Sequence, residues 1–208
     1  MKILAAIAIL AVIFLLFNLA WRWGSRQRSL PCPTALAWML DHPILQKLNG
    51  TQTTLERLRL KPGQRILEIG PGPGRLLIPT AKRVLPDGEV VGVDIQGGML
   101  ERLRRKAERE GIKNLTTILG DAAKEPLPPA SFDTIFLCTV LGEIPDREGA
   151  LKNCFQALKP GGLLSITEMA GDPHYQSRSK VRHLATEAGF LPQEVLGSWY
   201  FFTANFTK

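Results

Sequence analysis

The sequence predicts a doubly wound α/β domain built on a seven-stranded, mostly parallel sheet and preceded by one transmembrane helix. Three observations carry that expectation. From Thr51 onward, short apolar runs alternate with amphipathic helical stretches, the pattern of strands covered on both faces. Glycine-rich turns follow the first of these runs and precede the fifth. The first 23 residues, finally, are almost wholly apolar.

The opening segment reads MKILAAIAILAVIFLLF, with Lys2 its only charge, and the run from Ile3 to Trp23 is 21 residues long. At about 1.5 Å per residue this spans roughly 30 Å, the thickness of a bilayer's hydrocarbon core. Trp21 and Trp23 stand where interfacial aromatics belong, and Arg22, Arg26 and Arg28 follow. Residues 1–23 are therefore expected to be a single-pass anchor. A cleaved signal peptide would need a small residue where Asn18 stands, and a buried core helix is the remaining alternative. One basic residue precedes the apolar run and three follow it, so the body of the protein should face the cytoplasm.

This division explains the averages. The 208 residues carry a net charge of +7, yet residues 1–40 hold four basic residues and no acid, leaving only +3 for the rest. A basic collar beside an anionic leaflet accounts for the excess, and no nucleic-acid partner is expected. The mean hydropathy of +0.01 is a greasy anchor added to an ordinary domain. Three cysteines without a CxxC pair exclude a disulfide scaffold, and no metal site is expected. The composition also excludes collagen, coiled coil and wholesale disorder.

Residues 24–50 form an amphipathic connector, broken by Pro31 and Pro33 and carrying two short apolar stripes. It is expected either to close over the following domain as a lid or to lie on the membrane and line a lipophilic entrance. Residues 51–208 are the main domain. Helices are expected at 51–60, 75–84, 98–110, 147–158 and 177–188. Strands are expected at 64–69 (QRILEI), 89–94 (EVVGVD), 115–119, 134–138 and 163–167, then at 194–197 and 200–206 as a closing antiparallel hairpin.

Four motifs carry the chemistry. The segment Glu68-Ile69-Gly70-Pro71-Gly72-Pro73-Gly74 ends the first strand, and its glycines let the backbone turn sharply and approach a ligand. Its spacing is GxGxG rather than the GxGxxG that suits a dinucleotide pyrophosphate. Asp94 ends the second strand, 20 residues past Gly74, where a carboxylate can accept both hydroxyls of a ribose. Gly120-Asp121-Ala122 follows the third strand. Ser131-Phe132-Asp133 leads into the fourth, and Lys159-Pro160-Gly161-Gly162 precedes the fifth.

Together these motifs resemble the class I S-adenosylmethionine-dependent methyltransferases over residues 51–190. The resemblance implies a Rossmann-like sheet with S-adenosyl-L-methionine as cofactor. It further implies that Glu68, Gly70, Gly72 and Gly74 hold the methionine part and Asp94 the ribose. Met99 would pack on the adenine, and Asp121 with Ala122 would meet its amine. The segments Thr139–Asp146 and Thr167-Glu168 with Asp172–Tyr175 resemble the quinone-methylating group. Membrane-anchored thiol methyltransferases share the layout of a span before the domain, so hydrophobic thiols join quinones and lipids as expected acceptors. A non-catalytic scaffold that binds the cofactor, or an enzyme acting on protein or nucleic acid at the membrane, is the alternative.

Methyl transfer from a sulfonium is an in-line displacement that needs chiefly proximity and alignment. A base is required only when the acceptor must lose a proton. His174, Glu143 and Tyr175 are the candidates, since they fall on loops after the fourth and fifth strands, where open α/β sheets bind ligands. The oligomeric state is left open.

Overall fold

The computed structural model of the protein describes residues 31–34 and 50–208, together with isolated helical positions between residues 5 and 24. A helix at Thr51–Arg57 (α1) precedes a strand at Arg65–Ile69 (β1), followed by α2 (Leu77–Arg83), β2 (Glu89–Asp94) and α3 (Gly97–Arg109). Then come β3 (Leu115–Leu119), β4 (Phe132–Cys138), a single 3-10 turn at Leu141–Glu143, α4 (Arg147–Ala157) and β5 (Leu158–Met169). α5 (Arg178–Glu187) and the hairpin of β6 (Leu191–Gly197) and β7 (Phe201–Thr207) complete the domain.

The seven strands lie in the order β3-β2-β1-β4-β5-β7-β6. All pairs are parallel except β5 with β7 and β7 with β6. The near-continuous apolar strands are needed because both faces are covered. Ile66 of β1 and Phe136 of β4 join the cluster under α2 and α3. Their neighbours Leu67, Ile69, Ile135 and Leu137 point the other way, into the cluster under α4 and α5. Strand order reverses between β1 and β4. At such a switch point the loops above adjacent strands diverge in opposite directions and leave a crevice at the carboxyl ends.

The elements predicted from residue 51 onward are all present, with shifted edges. β4 starts two residues earlier than expected, and α2 starts at Leu77 because residues 72–76 form turns. The largest difference is at Lys159-Pro160-Gly161-Gly162, expected as a loop before β5. Phe132 pairs with Leu158 and Thr134 with Leu163, so these four residues bulge out of a strand that continues on both sides. Gly161 takes φ +73°, and its N–H reaches the carbonyl of Lys208 at 3.2 Å.

Among the described residues no helix is long and apolar enough to cross a membrane. The anchor expected at 1–23 lies outside the described residues apart from isolated positions. Of these, Ile9, Val12, Ile13, Leu16, Leu19 and Trp23 are helical and exposed. Most of the connector expected at 24–50 also lies outside them.

Candidate cofactor and acceptor site

A cavity of about 270 Å³ opens at the carboxyl ends of β1, β2 and β4, at the switch point of the sheet. One wall is the turn after β1. Gly70 sits at φ +69°, and a Cβ there would stand 2.7 Å from the methyls of Val140, so neither the turn nor the neighbour leaves room for a side chain. Glu68 lines this wall from the last turn of β1 and is only 3% exposed. Burial pushes its carboxyl well above the usual range, Arg75 opposes that shift, and Asp94 adds to it. Its Oε2 has no hydrogen-bond partner among the described residues.

The opposite wall is set by Asp94, which is 9% exposed. Its Oδ2 accepts from the Gly72 N–H at 3.1 Å, and its Oδ1 accepts from the Gln96 N–H at 2.9 Å. These bonds lock the carboxylate at the mouth of the cavity and tie the two turns together, while each oxygen keeps accepting capacity for a ligand hydroxyl. Burial raises its pKa, and the two amides oppose the rise. Met99, Asp121 and Ala122 line the same cavity further along, beyond Gln96. The Asp121 Oδ1 accepts from the Ala123 N–H at 3.0 Å, which fixes the turn after β3.

Seven of the eight residues expected to hold a cofactor thus meet in one cavity: Glu68, Gly70, Gly72, Asp94, Met99, Asp121 and Ala122. Gly74 is not part of its wall. It adopts φ +91°, and a Cβ there would run into Leu103, so this glycine lets α2 approach α3 closely. Gly92 in β2 plays a similar part, since a Cβ there would press on Leu77 and Pro71 at under 3 Å.

The acceptor side is acidic. Glu143, at the end of the 3-10 turn, lines the cavity together with Asp172. Burial raises the Glu143 pKa to about 8, Asp172 pushes the same way, and a hydrogen bond from the Cys32 backbone opposes the shift. His174 is buried behind this pair. Its Nδ1 lies 3.8 Å from Glu143 Oε1 and 3.8 Å from Asp172 Oδ1. Its backbone N–H donates to Asp172 Oδ1 at 2.7 Å, and its carbonyl leaves no room for a side chain at residue 142, which is glycine. Glu168, at 1% exposure, accepts from the Gln176 N–H at 3.1 Å and is likewise raised to about 8, chiefly by burial. Tyr175 stands apart. Its hydroxyl donates to the Trp199 carbonyl at 2.9 Å and its ring packs edge-on against Phe202, so it braces the loop rather than facing the cavity.

Four lining residues that bear on the site were not among the expected site residues. Arg75 lines the cavity and bonds Thr51 Oγ1 at 3.0 Å and Cys138 Sγ at 3.2 Å. Gln96 donates from Nε2 to the Cys32 carbonyl at 3.0 Å. Pro31 and Cys32 then form part of the wall itself, so this short stretch of the connector lies against the cavity. The paired prolines around Cys32 were the available signal, because they fix φ at two positions and break any regular helix through residues 31–33. Cys154 is buried in the core as a packing residue, whereas Cys138, also buried, lines the cavity and accepts from Arg75. Among the described residues no cluster of His, Cys, Asp or Glu is placed to hold a metal ion.

The residues present fit S-adenosylmethionine. The orphaned carboxylate oxygen of Glu68 calls for a cationic donor, which an α-ammonium supplies. The glycine turn gives close backbone approach, and Asp94 presents a fixed carboxylate to a diol.

Comparison with known proteins agrees. Residues 66–162 match the family model described as a methyltransferase domain. Over this region the chain is similar to methyltransferase domains. Demethylmenaquinone methyltransferase of Symbiobacterium thermophilum is 38% identical over 109 residues, covering 52% of this chain and 43% of its own. The ubiquinone/menaquinone biosynthesis C-methyltransferase of Ectopseudomonas mendocina is 36% identical over 123 residues, covering 58% and 48%. The chain thus spans about half the length of the curated relatives it matches. A crystal structure of an S-adenosylmethionine-dependent methyltransferase from Aquifex aeolicus shares the fold with a TM-score of 0.78 at 24% identity, covering 85% of this chain and 98% of that one.

Proposed function

We propose that the protein is a membrane-anchored enzyme that transfers a methyl group from S-adenosylmethionine to a lipophilic small molecule, a quinone, lipid or hydrophobic thiol, with its domain on the cytoplasmic side. The observation that carries this reading is one cavity that joins the cofactor wall of Glu68, Gly70 and Asp94 to the acidic corner of Glu143 and Asp172. The quinone-methylating relatives support a lipophilic acceptor. An apolar N-terminal run with a basic flank supports the anchor, which would concentrate a membrane-dissolved substrate near the site.

When bound, the cofactor supplies an electrophilic methyl group, and the chain supplies position and proton handling. Glu68 and Asp94 line the same cavity as Glu143 on the loop after β4, so a cofactor held by the two carboxyls would lie beside that loop. Proximity of this kind can contribute several kcal/mol to the barrier, about 7–11 in the best intramolecular cases. Glu143 Oε1 is the group on the cavity wall that can take a proton from an acidic acceptor. With a pKa of about 8 it is mostly protonated at neutral pH and becomes a base of matched strength as pH rises towards 8. His174 Nδ1 lies 3.8 Å behind it, so the imidazole bounds the pocket in which the Glu143 carboxyl sits.

The reading is tested by incubating the full chain with methyl-labelled S-adenosylmethionine and a membrane extract, then separating organic, protein and aqueous fractions. Label in the organic fraction, reduced by Asp94→Ala, is expected. Cofactor binding with no label in any fraction would make the chain a scaffold, and label confined to protein would redirect the substrate class.

A further inference from the structure

We propose that the active-site face docks on the bilayer through the aromatic tip of the β6–β7 hairpin, flanked by the basic start of α5. Trp199 is 72% exposed and Tyr200 50% exposed, and the two rings meet edge-on with centroids 5.9 Å apart. Two large aromatics this exposed at a loop tip leave apolar surface in water, whereas a headgroup layer receives both their rings and their polar edges.

The topology puts this tip on the same end of the sheet as the cavity. β7 runs antiparallel to β5, and Phe201 pairs with Met169, so the hairpin turns at the carboxyl end of β5. Its backbone is fastened to the acceptor loop, because the Tyr200 carbonyl accepts from the Ala170 N–H at 2.7 Å and the Trp199 carbonyl accepts from the Tyr175 hydroxyl. Beside it α5 begins with Arg178, Lys180 and Arg182, all exposed, and no acid comes before Glu187. Arg178 donates to the Gly197 carbonyl at 2.8 Å, joining that basic turn to the hairpin. Cations around an aromatic tip suit an anionic leaflet.

The short strap at the cavity and the sequence before it point the same way. Residues 31–34 lie at the cavity, where a Cβ on Gly98 would stand 3.3 Å from Thr34. Seven residues, 24–30, separate this strap from the end of the apolar run and carry Arg26 and Arg28. Fully extended they reach at most about 25 Å, so a span ending at Trp23 holds the cavity face close to the surface. The connector's other end is on that face too, since a Cβ on Gly50 would meet the Phe201 ring. Docked in this way, the mouth of the cavity takes its acceptor from the bilayer rather than from water.

This inference rests on the anchor reading, and the test separates the two. The full chain and its Trp199→Phe variant are reconstituted into vesicles of equal parts phosphatidylcholine and phosphatidylglycerol, with and without brominated acyl chains. The difference between the two proteins isolates the Trp199 emission from that of Trp21, Trp23 and Trp38. Brominated lipid is expected to quench the Trp199 component by at least half. Quenching of the remaining tryptophans with an unquenched Trp199 component would overturn the docking and leave the anchor standing. No quenching of any tryptophan would overturn both. An unchanged affinity of Trp199→Phe for S-adenosylmethionine shows that the variant is folded.

Discussion

At the scale of single residues, the site is governed by carboxyl groups held away from water. Glu68 is the sharpest case, a buried carboxyl with an orphaned oxygen whose pKa lies well above the usual range. A cationic ligand reverses that shift, so binding of S-adenosylmethionine at neutral pH should release up to one proton. Calorimetric titrations in buffers of different ionisation enthalpy measure this directly, and Glu68→Gln should both remove the buffer dependence and weaken binding about tenfold or more. Glu143 and Glu168 give a second expectation. Burial raises both pKa values to about 8, well above that of a carboxyl in water. The folded state therefore binds more protons than the unfolded state between those values, and stability falls as pH rises from about 5 to 8, then levels. Melting temperatures across that range should show the slope, and Glu168→Gln should flatten it. The residue types were legible in the sequence, and so was the position of Asp94 at a strand end. The linkage of Gln96 to Cys32 was not, because residues 64 apart in the chain meet only once the strap folds over the cavity.

At the scale of elements, the turn after β1 is the part most constrained by shape. Gly70→Ala puts a Cβ into Val140 and strains a left-handed φ, at a cost of about 1–3 kcal/mol. For a domain of this size that corresponds to a fall of roughly 2–10 °C in Tm. Cofactor affinity should fall as well, since the wall is displaced. Gly74→Ala should cost stability too, through α2 and α3, while changing affinity less, because Gly74 is not part of the cavity wall. Thermal melts paired with binding titrations separate the two glycines. Their common motif hid this division of labour: spacing alone presents three equivalent glycines, and only the packing of Leu103 against one of them shows its different task. The bulge at Lys159–Gly162 was obscured in the same way, since Pro and Gly mark a turn equally well whether a strand ends there or continues past it.

At the scale of the whole molecule, alternation of apolar strands and amphipathic helices was enough to foresee a mostly parallel seven-stranded sheet ending in an antiparallel hairpin. It was also enough to place the cavity, because ligand sites in such sheets follow from strand order. Tyr175 could not be assigned from the sequence, as its distance from the cavity depends on the β6–β7 hairpin folding back to receive its hydroxyl. If the proposed anchor spans the bilayer, the protein should resist extraction from membranes by alkaline carbonate, and deletion of residues 1–23 should release the domain into the supernatant.

The assignment of the cavity to S-adenosylmethionine is tested most directly by titrating the purified full chain and its Asp94→Ala variant with that cofactor by calorimetry. One site per chain is expected, with affinity at least tenfold weaker in the variant through loss of a fixed carboxylate partner. Binding of NADH in place of S-adenosylmethionine, or equal affinity of both proteins for the cofactor, would contradict the account.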